Sequence, residues 1–366
     1  MKRICFIISG LLLFGCAQKP VKIGVVVPLS QKLSSYGEMC LKGVQLATKV
    51  INEKGGIKGR KVELLIEDNR GEKEATKIAI EKLNREGALA VIGPLTTRNV
   101  MSIGEYADNE KFPIITPAAT GIEATRGREW VWRIAFTDPF QGITLAKFAG
   151  KELKMRSVCI LMNPQDPYST GLAESFENEF KAQGGKVLFK ATFTTEDTLF
   201  DKQLKAIKGQ NPDCIFVPAF YHEAGLIIRE ARNMGLKQPF IGGDGWDSPE
   251  LSKILGDRPG TNYYSTHFFY NYGGAEVQEF LHRYRIDYEE TPQTFSALGY
   301  DALIVIKKCF EKAGGFTRNE FKSNIRKVSY LGATGSIEFT QARDPRRSLI
   351  ILKFEPGKPI EMVKMY

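Results

Sequence analysis

The run Ile23-Gly24-Val25-Val26-Val27, the later positions Cys40, Val44, Ala47 and Ile51, and the stop at Gly55-Gly56 decide the fold. The run is almost wholly β-branched and shows no polar alternation, as a strand covered on both faces reads. The apolar positions after it are spaced by four, three and four residues, which lays one stripe along a helix, and the glycine pair ends it. This is a βα unit, and it repeats. Strands are expected over 62–67, 89–92 and 113–116, with helices over 73–86 and 100–108 between them; Ala75, Ile78, Ala79 and Leu83 mark the face of the first of these helices. Residues 130–136 read as a further extended run, broken at Thr137-Asp138-Pro139. A second series then begins, with helices over 140–153, 169–183, 200–208 and 223–234 and strands over 157–162, 187–192, 214–218 and 239–242. Alternation of this kind argues for parallel sheets covered by helices on both faces.

The fold class is therefore α/β, with two doubly wound parallel-sheet lobes joined by a multi-strand hinge. Residues 263–269 are extended, helices follow over 276–289, 295–312 and 318–327, and a C-terminal hairpin is expected from 335–339 and 348–354. The late helices have no strands of their own to cover, so they are expected to return to the first sheet. Lobe 1 is then 22–137 with 269–333, and lobe 2 is 138–268 with 334–366. Crossings near 136–140, 264–268 and 331–335 would form a hinge that lets the lobes close around a ligand.

At 366 residues the chain holds about two domains of ~100–200 residues. Hydrophobic residues make up 43% and charged residues 25%, the balance of a soluble globular protein. The net charge of +9 would suit nucleic acid, but the lysines and arginines are scattered among acids, with no basic run and no interleaved aromatics. Nucleic acid is excluded as a partner on that pattern. Lys2-Arg3 and the apolar residues 4–14 make a stretch too short for a ~20-residue membrane span, and residues 1–15 read as a signal peptide. It ends Leu13-Phe14-Gly15-Cys16, which resembles the bacterial lipobox. That resemblance implies acylation of Cys16, with 16–21 as a tether; ordinary secretion with an incidental cysteine is the alternative. Cys40, Cys159, Cys214 and Cys309 are far apart in apolar surroundings and read as buried thiols, although export would permit a disulfide.

Catalytic and cofactor signatures are missing. There is no GxGxxG after a strand, no GxxxxGK[ST] and no GxSxG. The stretch His222-Glu223-Ala224-Gly225-Leu226 opens like a zinc motif but puts Leu where the second ligand must stand. His267 and His282 are the only other histidines. No metal and no cofactor is expected.

In open α/β sheets, ligands bind beyond the carboxyl ends of the strands. In the first lobe those ends carry Ser30 and Ser35-Tyr36-Gly37, then Gly93-Pro94-Leu95-Thr96-Thr97, then Pro117-Ala118-Ala119-Thr120. In the second they carry residues 163–168, Pro218-Ala219-Phe220-Tyr221 and Gly243-Asp244-Gly245-Trp246. Hydroxyls and free amides on one side suit a carboxylate, and a single Asp opposite suits an ammonium. Together they describe an α-amino acid. Each residue also has a purely structural account: Thr96, Thr97 and Thr120 as helix caps, Tyr36, Tyr168 and Phe220 as packing, Asp244-Gly245 as a plain turn.

At these residues the chain resembles the type I periplasmic binding proteins, and within them the leucine/isoleucine/valine-binding family that serves ABC importers. The resemblance runs from Val21-Lys22-Ile23-Gly24 through Asn52-Glu53-Lys54-Gly55-Gly56-Ile57, Val91-Ile92-Gly93-Pro94, Thr116-Pro117-Ala118-Ala119-Thr120, Asp166-Pro167-Tyr168 and Gly242-Gly243-Asp244-Gly245 to Gly299-Tyr300-Asp301-Ala302. It implies that Thr97 and Thr120 hold an α-carboxylate. The Ala118 carbonyl, Thr120 and Asp244 would hold the α-ammonium, and Tyr36, Tyr168 and Phe220 would wall the side chain. The chain departs from some members at Thr97, where Ser is usual, at Asp244, one methylene shorter than Glu, and at Tyr36 in place of Trp. It also carries Arg70 and Thr96 where some members have a disulfide.

The expectation is a monomeric, lipid-anchored, extracytoplasmic protein that captures an aliphatic amino acid for an ABC permease, without turnover. A sensor for an amide- or urea-like molecule and an α/β enzyme are the rival classes.

Overall fold

The computed structural model describes residues 18–340 and 343–366, so the expected leader and Cys16 lie outside the described residues. Strand β1 (Val21–Val27) is buried on both faces, as its unbroken apolar run requires. Helix α1 (Ser34–Glu53) follows, then β2 (Val62–Asp68), α2 (Lys73–Arg85), β3 (Ala90–Ile92), α3 (Thr97–Asn109), β4 (Ile114–Thr116) and β5 (Val131–Arg133). The sheet is parallel throughout, ordered β2-β1-β3-β4-β5. Helix α2 buries Thr76, Ala79, Ile80 and Leu83. The face read from sequence is therefore turned: Ile78 points outward at 66% exposure.

The second lobe is built from α4 (Asp138–Lys147), β6 (Ser157–Met162), α5 (Pro167–Ala182), β7 (Lys186–Thr192), α6 (Asp201–Gln210), β8 (Cys214–Phe216), α7 (Tyr221–Asn233), β9 (Phe240–Gly242), α8 (Pro249–Leu255) and β10 (Asn262–Thr266). Helix α4 runs on into a π turn over Phe148–Glu152.

The chain then returns to the first lobe with α9 (Ala275–Tyr288), α10 (Thr294–Lys312) and α11 (Arg318–Asn324). Helix α10 lies directly on α1. A Cβ placed on Gly43 would stand 1.9 Å from the Ser296 carbonyl oxygen, and one on Gly299 would stand 2.3 Å from that of Cys40. Ion pairs Lys42–Glu290 and Lys49–Asp287 flank the contact.

The C-terminal pairing differs from the expected hairpin. Strands β11 (Ser329–Gly332), β12 (Gly335–Phe339) and β13 (Pro345–Arg346) form a small antiparallel sheet of their own. Strand β14 (Ile350–Phe354) instead pairs with β10 and with β15 (Glu361–Met365), both antiparallel, so the larger sheet is mixed in the order β15-β14-β10-β9-β8-β6-β7. Asp301 of α10 holds the β11–β12 turn by accepting from the amides of Ala333 and Thr334, 3.0 and 2.8 Å. This anchors β12 beside the first lobe. The chain leaves the small sheet at Arg346 and joins the larger one at Ile350, so the third passage falls at 347–349 and not at 331–335. The other two connections run through 134–137 and 267–274.

Among the described residues no helix is long and apolar enough to cross a membrane. Cys40, Cys159, Cys214 and Cys309 are buried and unpaired.

Candidate functional site

A cleft lies between the lobes, closed down in this structure to a cavity of about 20 Å³. Tyr36, Thr97, Ala118, Thr120, Tyr168, Phe220 and Asp244 all line it, so every ligand-contacting position expected from sequence faces one space. Leu95, Thr96, Ala119, Gly245 and Phe295 complete the wall.

The carboxylate side is made by two loops of the first sheet. Thr96 takes the N-cap position of α3, yet no side chain caps that helix. An uncapped helix start presents backbone donors and the positive end of the helix dipole, which favour an anion. The Thr97 hydroxyl oxygen accepts the Gly121 amide at 3.0 Å, which leaves its proton to donate into the cavity. Gly121 has to be small for this, because a Cβ there would lie 2.3 Å from Thr97 Cγ2. The loop that carries Ala118 and Thr120 is fixed from behind. Thr116 Oγ1 accepts the Ala119 amide at 3.1 Å and donates to the Pro94 carbonyl at 2.7 Å. The buried Arg133 donates to the Ala119 carbonyl at 2.9 Å and to Thr125 at 2.7 Å, with Asp344 as its counter-ion at 2.5 Å.

The second lobe supplies the acid. The Asp244 amide donates to Gln141 Oε1 at 2.7 Å, its Oδ2 meets His267 Nε2 at 3.3 Å, and its buried Oδ1 has no partner. A buried carboxylate oxygen without a partner is costly, and a bound cation satisfies it. Asp138 was read from sequence only as a strand breaker. It is 1% exposed at the start of α4, bonded to the Thr120 side chain, and its Oδ2 is also unpartnered. Burial first, and the Asp244 charge second, push its carboxyl well above the usual range.

The aromatic wall is ordered by its neighbours. Asp166 caps α5 by accepting the Tyr168 amide at 3.1 Å, and Pro167 opens the helix, which fixes where Tyr168 enters the cavity. Its ring stacks on Phe220 at 5.2 Å, and its hydroxyl accepts the Gly245 amide at 3.1 Å. Tyr36 crosses the cleft: its hydroxyl donates to the Gly245 carbonyl and accepts the Tyr221 amide at 3.1 Å. Phe295 of α10 stacks behind it at 4.2 Å. Burial keeps the phenols of Tyr36 and Tyr168 protonated by pushing them well above the ordinary tyrosine value. Further contacts hold the lobes together, with Ser35 against Ser248 at 2.9 Å and Lys32 Nζ donating to the Thr195 carbonyl at 2.6 Å.

Phe295, Asp138, Gln141 and His267 escaped the sequence reading. Phe295 lies on α10, Asp138 and Gln141 lie on α4, and His267 directly follows β10, inside the stretch 263–269 that the sequence marks as extended. Among the described residues no group of three or more His, Cys, Asp or Glu is placed to hold a metal ion.

Residues 20–354 match the family described as periplasmic binding protein. A leucine-binding protein from Thermotoga maritima superposes with a TM-score of 0.90 at 33% identity, covering 94% of this chain and 98% of that one. The branched-chain amino acid transporter substrate-binding protein of Streptococcus pneumoniae, solved with isoleucine, gives a TM-score of 0.88 at 30% identity over 94% and 99%. The Leu/Ile/Val-binding protein of Citrobacter freundii is 31% identical over 240 residues, and the match spans 65% of this chain and 65% of that relative's length.

Proposed function

Because the chain belongs to the periplasmic binding proteins, we propose that it captures a free branched-chain or similar aliphatic L-amino acid between its lobes, outside the cytoplasmic membrane, and presents it to the permease of an ABC transporter. The observation that carries this reading is the unpartnered, buried Asp244 Oδ1 in the same cavity as the hydroxyls of Thr97 and Thr120. The first matches an α-ammonium and the second pair an α-carboxylate. Leu95, Tyr36, Phe220 and Phe295 leave an apolar remainder for the side chain. Support for its aliphatic character comes from the Thermotoga relative, described as leucine-binding, and from the Streptococcus relative, solved with isoleucine.

The experiment is a melting curve on ligand-stripped protein. Leucine, isoleucine or valine at ~100 times its Kd should add about 2.7 kcal/mol of stability. If none of these, nor alanine or phenylalanine, moves the curve, the amino-acid reading is wrong.

Cys16, at the end of Leu13-Phe14-Gly15-Cys16, is proposed as the lipid anchor. Two or more acyl chains at ~0.8 kcal/mol per buried CH₂ hold a protein stably, where one chain is marginal. Intact mass of the mature protein should show an acylated Cys16, and Cys16→Ser should release it from the membrane fraction or leave it unprocessed. A free N-terminus at or beyond Ala17 would contradict the anchor.

A further inference from the structure

The imidazole of His267 sits where the three connections between the lobes converge. His267 itself opens the second connection, its ring stacks on Phe136 of the first at 3.7 Å, and Arg347 of the third is near enough to act on its charge. The side chain is wholly buried, and Nε2 lies 3.3 Å from Asp244 Oδ2. Nδ1 has no partner, nor has the other oxygen of Asp244. A neutral imidazole that donates from Nε2 therefore pins one carboxylate oxygen and leaves Oδ1 for the cavity.

We propose that His267 is a positioning residue, which orients the Asp244 carboxylate toward the ligand's ammonium and takes up a proton in competition with that ammonium. This rests on the amino-acid reading above. In the empty cleft an imidazolium would offset the buried carboxylate. With ligand present, two cations would share it. Proton and ligand then exclude each other, and acid loosens the site.

The groups that face His267 set where this happens. Asp244, from the turn after β9, favours the imidazolium, whereas burial and Arg347 oppose it, and burial is the largest effect, so His267 titrates below its ordinary value. Asp138, from α4, and Asp247, after the turn, are themselves raised by burial and by the Asp244 charge, Asp247 to about 7, so in the acid range both are largely protonated and add little charge around Asp244. Tyr168 stays neutral there. The ligand's positive charge lowers the His267 value further. Affinity is thus full above the value of the empty protein, and falls by about tenfold per pH unit below it until the bound-state value is reached.

Leucine titrations between about pH 8 and about pH 5 on the wild type, His267→Gln and His267→Leu test this. Gln keeps a donor near Nε2 but takes up no proton, so its affinity at the upper end should exceed that of His267→Leu and its acid loss should shrink. His267→Leu should bind about tenfold more weakly than wild type at the upper end, having lost a hydrogen bond to a charged group. Unchanged pH profiles in both variants overturn the inference while the amino-acid reading stands. A wild type that ignores leucine at every pH overturns both. Should the variants fail to fold, imidazole NMR of the wild type decides. The chain has only three histidines, and replacing His222 and His282 assigns the third signal. Its titration should move to lower pH on adding leucine, and an unmoved midpoint contradicts the proposal.

Discussion

Asp244→Ala is expected to raise the Kd for leucine by roughly 30-fold to several thousand-fold, the ~2–5 kcal/mol that follows from removing one partner of a buried charge pair. The protein should stay folded. The Asp244 amide keeps its bond to Gln141, and the turn beyond it is held by the buried Trp246, whose indole N–H donates to the Val217 carbonyl at 3.1 Å. An aspartate that merely shaped this turn would behave in the opposite way, with stability lost and affinity kept. Calorimetry combined with a melting curve separates the two, and a folded variant with near-native affinity would remove Asp244 from the site.

Gly43→Val should destabilise the protein by about 3 kcal/mol, at the upper end of what overpacking a core costs. The added carbon would meet the Ser296 carbonyl oxygen at 1.9 Å and the Tyr300 nitrogen at 3.0 Å, and both are backbone atoms of a helix that cannot rotate away. Helices α1 and α10 would have to separate. Since α1 carries Tyr36 and α10 carries Phe295, the stack at 4.2 Å would open as well, and leucine affinity should fall with stability. Denaturant titration checks the first effect. An unchanged midpoint would mean that the helices do not meet at this glycine.

The same contact shows what could be read from the sequence alone. Strand β1 and helix α1 are written plainly in apolar runs and spacings, and the lack of strands after residue 270 sends α10 back to the first sheet. Edge strands and chain ends are less legible. The stretch 335–354 holds two apolar runs a short distance apart, the ordinary mark of a hairpin, yet Asp301 holds the first of them beside α10 while the second completes the larger sheet through β10. That choice rests on a buried acid and two amides far along the chain. The rotation of α2 has a similar cause: Thr76 is buried because its hydroxyl bonds to Asn69 and to the Glu72 carbonyl, 3.0 and 2.6 Å, which no apolar count reveals.

Within the candidate site, the strand-end rule brought Thr97, Ala118, Thr120, Tyr168, Phe220 and Asp244 into view because each follows a strand, with Tyr36 in the first turn of α1. Asp138 opens α4 where one connection between the lobes ends and His267 opens another, and their surroundings are assembled only when both lobes are folded. Asp138 carries the signature of a helix start, with Thr137 accepting the Phe140 amide and Pro139 in the first turn. That signature hid an acid that bonds to Thr120 and faces Asp244 electrostatically.

The most direct measurement of the central claim is calorimetry of ligand-stripped protein with leucine and with analogues that lack one of its charged groups, 4-methylpentanoate without the ammonium and 3-methylbutylamine without the carboxylate. Each omission leaves buried polar groups of the site unpaired, at ~1–3 kcal/mol for each such group and more where it is charged. Leucine should therefore bind well, and both analogues should bind at least tenfold more weakly. If 4-methylpentanoate binds as tightly as leucine, Asp244 holds no ammonium, and the cavity does not belong to an amino acid.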